Sequence, residues 1–385
     1  MAAADIAQNG LGAAYNGTYA SKILLEPMFH SDDIMRNYTI YPNVKYKQNI
    51  LMAPSLKNIT ALNTGCLANT CSGTTFEVTQ KTITVENVSV KQTQCWDEFK
   101  SEVIVESYKN GVNMPDLSGT ELAQIIIDRV RGGIGNDMIT NMWAGIASVA
   151  GANPAVAPCS YVSMGAGLWD LLGDDANFAG NKKLATVKGT VTGAAAITAA
   201  YETVGGTINI ADVALLLDKA FSSAPAELQQ VASAELQQIP ASEKRMFVTP
   251  NIYNAYYASL TLVANTGAVD YGHSEAQAGK SRLFYRGIEV VAMYEWDTAL
   301  TVRTGADLPV IFSVSNSAAA AVKTKQGVIY TAKANLFIGT DVSAPENELK
   351  MFYDEVSDNM LIRSYFTMGF QYGWSNLIYG VTLTA

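Results

Sequence analysis

The most regular pattern in this sequence is an apolar residue at every fourth position within the first half of the chain. Its members are Leu122, Ile126, Val130, Ile134, Met138 and Met142, widened by Ile125, Ile139, Trp143 and Ile146. Such a repeat predicts the buried stripe of an amphipathic helix. Ser118 and Glu121 have the spacing of a capping box, in which each side chain satisfies an exposed backbone donor. We therefore predict one long helix over residues 118–146.

Alternation of apolar and polar residues predicts strands on both sides of this helix. Over residues 36–75 the alternation is loose and ends in turn signals, which predicts a long β-hairpin or projecting loop. Residues 76–105 are richer in β-branched side chains and form the clearest strand region of the first half. In the second half, strands are predicted over 245–249, 283–289, 290–296, 310–314, 328–332, 336–339 and 360–384.

Two shorter helices are predicted in the middle of the chain. One is capped by Asn209 with Asp212 and ends before Pro225, and the other follows Pro250. Residues 150–205 are rich in Gly, Ala, Thr, Val and Asn, and no regular element is predicted there. The order of hairpin, strands, long helix, mixed core and strands indicates an α+β fold, because a doubly wound sheet would alternate regularly.

Composition and charge restrict the class of protein. The net charge is −9, so the chain lacks the excess of basic residues that is typical of proteins that bind nucleic acid through its phosphates. Only 16% of residues are charged and 49% are hydrophobic, which suits a protein that lays much of its surface against neighbours. No run of about 18 apolar residues or signal layout is found, so we expect synthesis in the cytoplasm and no membrane span.

The residues that usually carry catalysis are scarce. The two histidines, His30 and His273, lie in a predicted arm and a predicted loop. A Gly-Lys-Ser sequence ending at Ser281 imitates a phosphate-binding loop, but Ser274 occupies the place of the first glycine. Acidic clusters at 32–33, 174–175 and 346–355 are interpreted as solvated loop faces, since no calcium-loop pattern accompanies them.

The spacing of the cysteines likewise does not indicate a catalytic or metal site. The four cysteines are Cys66, Cys71, Cys95 and Cys159. Two alternatives are a disulfide between Cys66 and Cys71 and a zinc site that these two form with Cys95. Free, half-buried thiols are the preferred interpretation, because the spacing is loose and the cytosol is reducing. The sequence therefore predicts no catalytic site, no metal and no cofactor.

Several segments of the second half are informative through their order and spacing. They are MFVTPNIYNAY at 246–256, RGIEVV at 286–291, ANLFIGTD at 334–341, FYD at 352–354 and LIRSYFTMG at 361–369. Together they resemble the major capsid proteins of tailed bacteriophages, whose Hong Kong 97-type fold is shared with encapsulins. The resemblance covers most of the chain and is strongest over 244–373.

This resemblance implies a particular division of the chain. The expected parts are an N-terminal arm at 1–35, an extended loop at 36–80, a peripheral domain at 81–150 with its spine helix at 118–146, an axial domain at 151–340 with an insertion at 150–205, and a return to the peripheral domain at 341–385. The helix residues expected to matter for assembly are Ile126, Val130, Ile134, Met138 and Trp143.

The resemblance also implies a function and partners. We expect a subunit that assembles with itself as pentamers and hexamers into an icosahedral head around double-stranded DNA, without sequence-specific binding. Scaffolding, portal and decoration proteins are the other expected partners. The expected location is the virion, after synthesis in the host bacterial cytoplasm. Two alternatives remain at this point: an encapsulin-like compartment shell, or a metal-dependent enzyme that uses the acidic clusters.

Overall fold

The computed structural model describes residues 37–53, 78–95, 121–146, 165–174, 184–190, 194–197, 203–229, 239–262, 282–302, 325–341, 350–354 and 359–384. The strands in these ranges are β1 (Thr39–Tyr41), β2 (Lys47–Met52), β3 (Thr79–Thr84), β4 (Glu86–Cys95), β5 (Leu184–Lys188), β6 (Lys244–Val248), β7 (Leu283–Tyr285), β8 (Ile288–Ala292), β9 (Gly327–Ala332), β10 (Leu336–Thr340), β11 (Lys350–Asp354), β12 (Asn359–Tyr372) and β13 (Ile378–Thr384). The helices are α1 (Glu121–Ala144), α2 (Leu168–Asp174), α3 (Ala194–Ile197), α4 (Ile210–Ser222), α5 (Ala226–Gln229), α6 (Pro250–Leu262) and α7 (Tyr294–Val302).

A five-stranded sheet is built around the long strand β12. β4, β10 and β11 pair antiparallel with β12, and β1 joins β10 in parallel. Along β12, Ile362, Ser364 and Phe366 are buried, whereas Arg363 and Tyr365 between them are exposed. One face of this sheet therefore covers the core and the other faces solvent, as alternation along an antiparallel strand allows. The apolar stripe of α1 belongs to the same hydrophobic cluster as the buried face.

A six-stranded sheet has the order β5-β13-β9-β6-β8-β7. It is mixed, because β13 pairs in parallel with β5 and β6 pairs in parallel with β8, while the other pairs are antiparallel. Every residue of β6 and β9 is buried, so the centre of this sheet is covered on both faces. α4 and α6 pack together and share a second hydrophobic cluster with the sheet. β2 and β3 form a separate antiparallel pair.

The strands predicted at 245–249, 328–332 and 336–339 are confirmed within a residue or two at each end, and so are the two shorter helices. The single strands predicted at 283–289 and 360–384 are wrong, because a break divides each segment between two strands. α4 begins after Asn209, whose side-chain oxygen accepts a hydrogen bond from the backbone N of Ala211 at 3.1 Å. The prediction that Asp212 shares in this cap is wrong. Its carboxylate instead accepts hydrogen bonds from the backbone N and the hydroxyl of Thr190 at 3.0 and 3.2 Å. The strand predicted at 310–314 lies outside the described residues.

The long helix ends two residues earlier than predicted, at Ala144 rather than at 146. Its described part begins at Glu121, and residues 118–120 lie outside the described residues, so its predicted start stays a prediction. At its end the backbone N of Gly145 donates to Asn141 O, and the backbone N of Gly167 donates to Gly145 O. A β carbon on Gly145 would lie 2.4 Å from the carbonyl oxygen of Gly165, so close backbone packing ends the helix there.

Three further predictions are corrected. Residues 150–205 do contain regular elements, namely α2, β5 and α3. The strand predicted over 290–296 ends at Ala292, and α7 begins at Tyr294 with two acidic residues in a first turn, where the helix dipole favours negative charge. Part of the acidic segment 346–355 is not loop, because β11 pairs with β12. The segment 341–385 contributes β12 to one sheet and β13 to the other.

Candidate assembly site

Five aromatic side chains pack together where α1 meets both sheets, and we call them the aromatic junction. The ring centroid of Trp143 in α1 lies 5.0 Å from that of Trp296 in α7 and 5.3 Å from that of Phe247 in β6. Trp169 of α2 lies 5.4 Å from Trp296, and Tyr38 stacks on Phe247 at 5.9 Å. Such pairs contribute about 0.5–1.5 kcal/mol each beyond area burial. The junction therefore joins the two sheets into one body.

The chain that follows the predicted N-terminal arm is anchored at this junction. Tyr38 Oη accepts a hydrogen bond from Trp143 Nε1 at 3.0 Å. Asn37 Oδ1 accepts one from Arg245 Nε at 3.1 Å, and the same nitrogen lies 3.4 Å from Glu289 Oε2 in a nearly buried ion pair. Because β1 follows directly, these contacts fix the first described residues of the chain against the core.

Removing the hydroxyl of Tyr38 tests this anchor. Tyr38→Phe should lower the free energy of unfolding by about 1–3 kcal/mol, because the indole N–H of Trp143 is left in the core without that acceptor. Chemical denaturation followed by tryptophan fluorescence measures the change. Tyr41→Phe, the same deletion on the partly exposed ring that follows in β1, should change stability by less than about 0.5 kcal/mol. Equal effects of the two variants would contradict the anchor.

The five helix residues predicted to matter for assembly all lie on α1. Ile134, Met138 and Trp143 are buried in the main hydrophobic cluster, and Val130 is half-buried against it. The side chain of Ile126 lies outside the described part. The described members contact the core of their own subunit, so an effect on assembly would act through the subunit fold. Their role in assembly stays a prediction.

The β2–β3 hairpin packs on the side of the five-stranded sheet that carries Phe337 and Gln371. Ile50, Met52 and Ile83 form a small hydrophobic cluster with Phe337 of β10. Gln371 Nε2 donates to the backbone oxygen of Thr82 at 3.1 Å, and Lys81 Nζ lies 3.5 Å from the centroid of the Tyr372 ring. These contacts fix the base of the hairpin, while residues 54–77 lie outside the described part.

Two glycines make this close packing possible, and we call them the glycine notch. Gly339 and Gly369 lie opposite each other in the β10–β12 pair. A β carbon on Gly369 would lie 2.1 Å from the carbonyl oxygen of Thr84, and one on Gly339 would lie 2.9 Å from Ile83 Cγ2. The sequence analysis did not single out these residues. A glycine inside a predicted strand is the signal that could have found them, because it often marks close backbone approach.

The outer side of the same hairpin carries two exposed apolar side chains. Leu51 is 70% exposed, and Val78 is 53% exposed. The two residues lie on the same face of the pair, since Leu51 is opposite Gln80 and the side-chain direction alternates with every residue. Tyr46, just before β2, is 68% exposed. Leu51 and Val78 form a small apolar pair, since the other residues of this face, namely Lys47, Asn49, Gln80, Thr82 and Thr84, are polar.

The described residues hold no group of three His, Cys, Asp or Glu side chains that could bind a metal. Cys95 lies on β4 opposite Asn359. The other cysteines, both histidines and the Gly-Lys-Ser sequence lie outside the described part. No helix in that part is long and apolar enough to cross a membrane.

Burial alone shifts the pKa of several titratable groups in the structure, and the carboxyl group of Asp297 is one of them. Burial raises the pKa of Asp297 in α7 to about 6. A raised carboxyl pKa means that the folded state holds its proton more tightly than the unfolded state. The stability of the fold therefore falls as the pH rises from about 4 through 6, and the loss persists above that range.

Asp297→Asn should consequently raise the melting temperature at pH 7–8, and this advantage should shrink below pH 6 and vanish near pH 4. Thermal unfolding of both proteins across this pH range is the measurement. Glu243→Gln removes one carboxylate from a surface turn and controls for the change in net charge. A constant difference between Asp297→Asn and wild type at every pH would contradict the burial of this carboxyl group.

No family model and no curated protein matches the sequence. Among solved structures, the chain is similar to a chain of the satellite phage P4 procapsid, in a structure that includes the size determination (Sid) protein. The identity is 11%, the match covers 94% of this chain and 90% of that chain, and the TM-score is 0.55. The chain is also similar to the capsid of Myoviridae phage XM1, at 9% identity, with 91% of each chain covered and a TM-score of 0.47. A third similar structure is the capsid of cyanophage P-SCSP1u, at 12% identity and a TM-score of 0.44, where the match covers 91% of this chain and 87% of that chain.

The fold assignment rests on the P4 procapsid chain. Its similarity extends over nearly the full length of both chains, so it concerns the whole α+β architecture and not one shared motif. The resemblance to phage capsid proteins that the sequence indicates is therefore confirmed at the level of the fold.

Proposed function

We propose that this protein is the major capsid protein of a tailed bacteriophage, a structural subunit that assembles into an icosahedral head around double-stranded DNA. The observation that carries the proposal is the fold match with a procapsid chain over 94% of this chain and 90% of the other. A fold can host several functions.

The parts of the subunit receive corresponding roles. Residues 1–35 are the N-terminal arm, and the anchor at Asn37 and Tyr38 supports this assignment by setting where the arm leaves the core. Residues 36–80 are the extended loop, built on the β2–β3 hairpin. The region 118–146 is the spine helix, residues 151–340 form the axial domain with an insertion at 150–205, and 81–150 with 341–385 form the peripheral domain.

A shell is stabilised by many weak contacts between subunits, and these parts could supply them. Pentamers and hexamers repeat the same modest contacts many times, so the sum stabilises the shell although each contact is weak. The exposed side chains of Leu51 and Val78 on the hairpin are candidates for such contacts. A net charge of −9 would limit adhesion of packaged DNA to the wall.

The remaining partners follow from the same proposal. Scaffolding, portal and decoration proteins would bind the shell, and DNA would be enclosed without sequence-specific contacts. The subunit would be made in the cytoplasm of the bacterial host and end in the virion.

Expression of the protein alone, followed by size-exclusion chromatography and negative-stain electron microscopy, tests the proposal. Closed shells, sheets, or rings of five or six subunits would support it. A stable monomer that still fails to assemble when co-expressed with scaffolding and portal proteins would contradict it. The contents of particles purified from infected cells separate two kinds of shell, because DNA indicates a phage head and a cargo enzyme indicates a protein compartment.

A further inference from the structure

Among the described residues, the six-stranded sheet ends at β7, a strand of three residues. A two-residue turn, Arg286 and Gly287, joins β7 to β8, and Tyr285 lies opposite Ile288 across it. In such a hairpin the two residues that flank the turn exchange both backbone hydrogen bonds. The direction of the backbone groups alternates along an antiparallel strand, so the N–H and C=O of Phe284 point away from β8, towards the edge of the sheet.

The edge strand β7 has features that favour pairing with a second copy of the chain. An open strand edge is a template for another strand, because its backbone donors and acceptors point outwards. Two copies of β7 that align antiparallel about Phe284 would exchange two backbone hydrogen bonds at that residue. The side chain of Phe284 is 45% exposed, so the same alignment would also bring two apolar rings together. An unblocked β7 would therefore be a site of unwanted self-association.

A tyrosine of the neighbouring helix α6 occupies the acceptor of this edge. The hydroxyl group of Tyr256 donates a hydrogen bond to the backbone oxygen of Phe284 at 2.9 Å. The Tyr256 ring is 8% exposed and packs edge-on against the ring of Tyr285, with 6.2 Å between the centroids. This packing holds the hydroxyl group beside the strand, where the N–H of an added strand would otherwise bind. The hydrogen bond of Tyr256 therefore competes with pairing by another chain.

Contacts with α4 hold the turn after β7 in place. Arg286 Nη2 lies 2.8 Å from Asp218 Oδ1, and the guanidinium carbon lies 4.8 Å from the centroid of the Phe221 ring. Tyr285 Oη donates to the same Asp218 oxygen at 3.2 Å. Arg286 has a φ of 49°, which residues other than glycine rarely adopt, and these contacts offset its cost. Arg282, at the other end of β7, is exposed, and a charge at an edge also opposes pairing.

We propose that the hydroxyl group of Tyr256 blocks self-association of the subunit through its β7 edge. While the hydrogen bond to Phe284 is intact, the edge lacks a free acceptor for a second copy. The inference concerns the folded subunit and does not depend on the proposed function. It matters in any crowded assembly, because a sheet that continues from one copy into the next competes with the intended contacts.

Cysteine cross-linking tests this block. Phe284→Cys places a thiol at the centre of the edge, and two strands aligned about this position would bring the Cα atoms to about 5.5 Å, which a disulfide can span. Adding Tyr256→Phe should raise the fraction of dimer linked through position 284 about tenfold, because neither copy then loses a hydrogen bond on pairing. Mild oxidation, non-reducing electrophoresis and peptide mapping measure this fraction. The two proteins contain the same cysteines, so their background of other disulfides is equal.

Tyr294→Phe is the matched control, because it removes the same group from a ring that is 61% exposed. Combined with Phe284→Cys, it should leave the amount of cross-linked dimer unchanged. Equal cross-linking with Tyr256→Phe and with Tyr294→Phe would overturn the proposal. Tyr256→Phe alone should lower the melting temperature by no more than about 4 °C, since water can bond the oxygen of the partly exposed Phe284. A larger fall, or failure to fold, would mean that the hydroxyl group supports the core instead of blocking the edge.

Discussion

Replacing Met138 with aspartate is expected to abolish both the folded subunit and any shell built from it. Met138 is 3% exposed and belongs to the same hydrophobic cluster as Ile362 and Phe366 of β12. Loss of the thioether alone would cost about 2–5 kcal/mol. The carboxyl group adds the cost of burying a charge or of holding a proton at neutral pH. The measurements are yield of soluble protein, circular dichroism and electron microscopy of any particles.

Two control variants separate the charge from the position. Asn136→Asp places the same carboxylate on the exposed side of α1 and should leave folding and assembly intact. Met138→Leu keeps the volume and should cost less than about 1.5 kcal/mol. Normal particles from Met138→Asp would show that this stripe of α1 does not face a dry core. Aspartate at Ile126 is expected to block assembly in the same way if the stripe continues to that residue.

The second large effect is expected at the glycine notch. Gly369→Ala would bring a methyl group to 2.1 Å from Thr84 O and 2.8 Å from Thr84 C, and both of these are backbone atoms that no rotamer change can move away. The β2–β3 hairpin must shift or detach, at a cost in the upper part of the 1–3 kcal/mol typical of overpacking or beyond it. We expect a lower melting temperature and faster proteolysis within residues 47–84.

Gly133→Ala is the matched control for this substitution. It adds the same methyl group on α1, where nothing lies within 4 Å, and it should stabilise the helix by about 1 kcal/mol. If the Gly369→Ala variant is cleaved by protease no faster than the wild type and unfolds at the same temperature, the hairpin does not pack on the sheet as described.

Elements with a local signal were predictable from the sequence. The cap at Asn209 and the apolar spacing after it suffice to place α4, since both the cap and the stripe are properties of neighbouring residues. The same holds for α1, whose repeat extends over many turns. Strands such as β9 and β10 were predictable because their buried residues form short continuous apolar runs.

Features that depend on partners remote in sequence were not predictable. β5 was missed because its partner is β13, which aligns Gly380 with Leu184, and a parallel pair leaves no hairpin signal. The anchor of Tyr38 on Trp143 likewise joins residues that the chain separates widely.

The position of β13 between β5 and β9 has a consequence for the timing of synthesis. On the ribosome, the segment that becomes β5 emerges long before its partner. At roughly 5–20 residues per second, it waits on the order of ten seconds or more for residues 378–384. Until then the edge of β9 that pairs with β13 has no partner strand, and the six-stranded sheet of the nascent chain is incomplete. The six-stranded sheet is therefore complete only after residues 378–384 have been made.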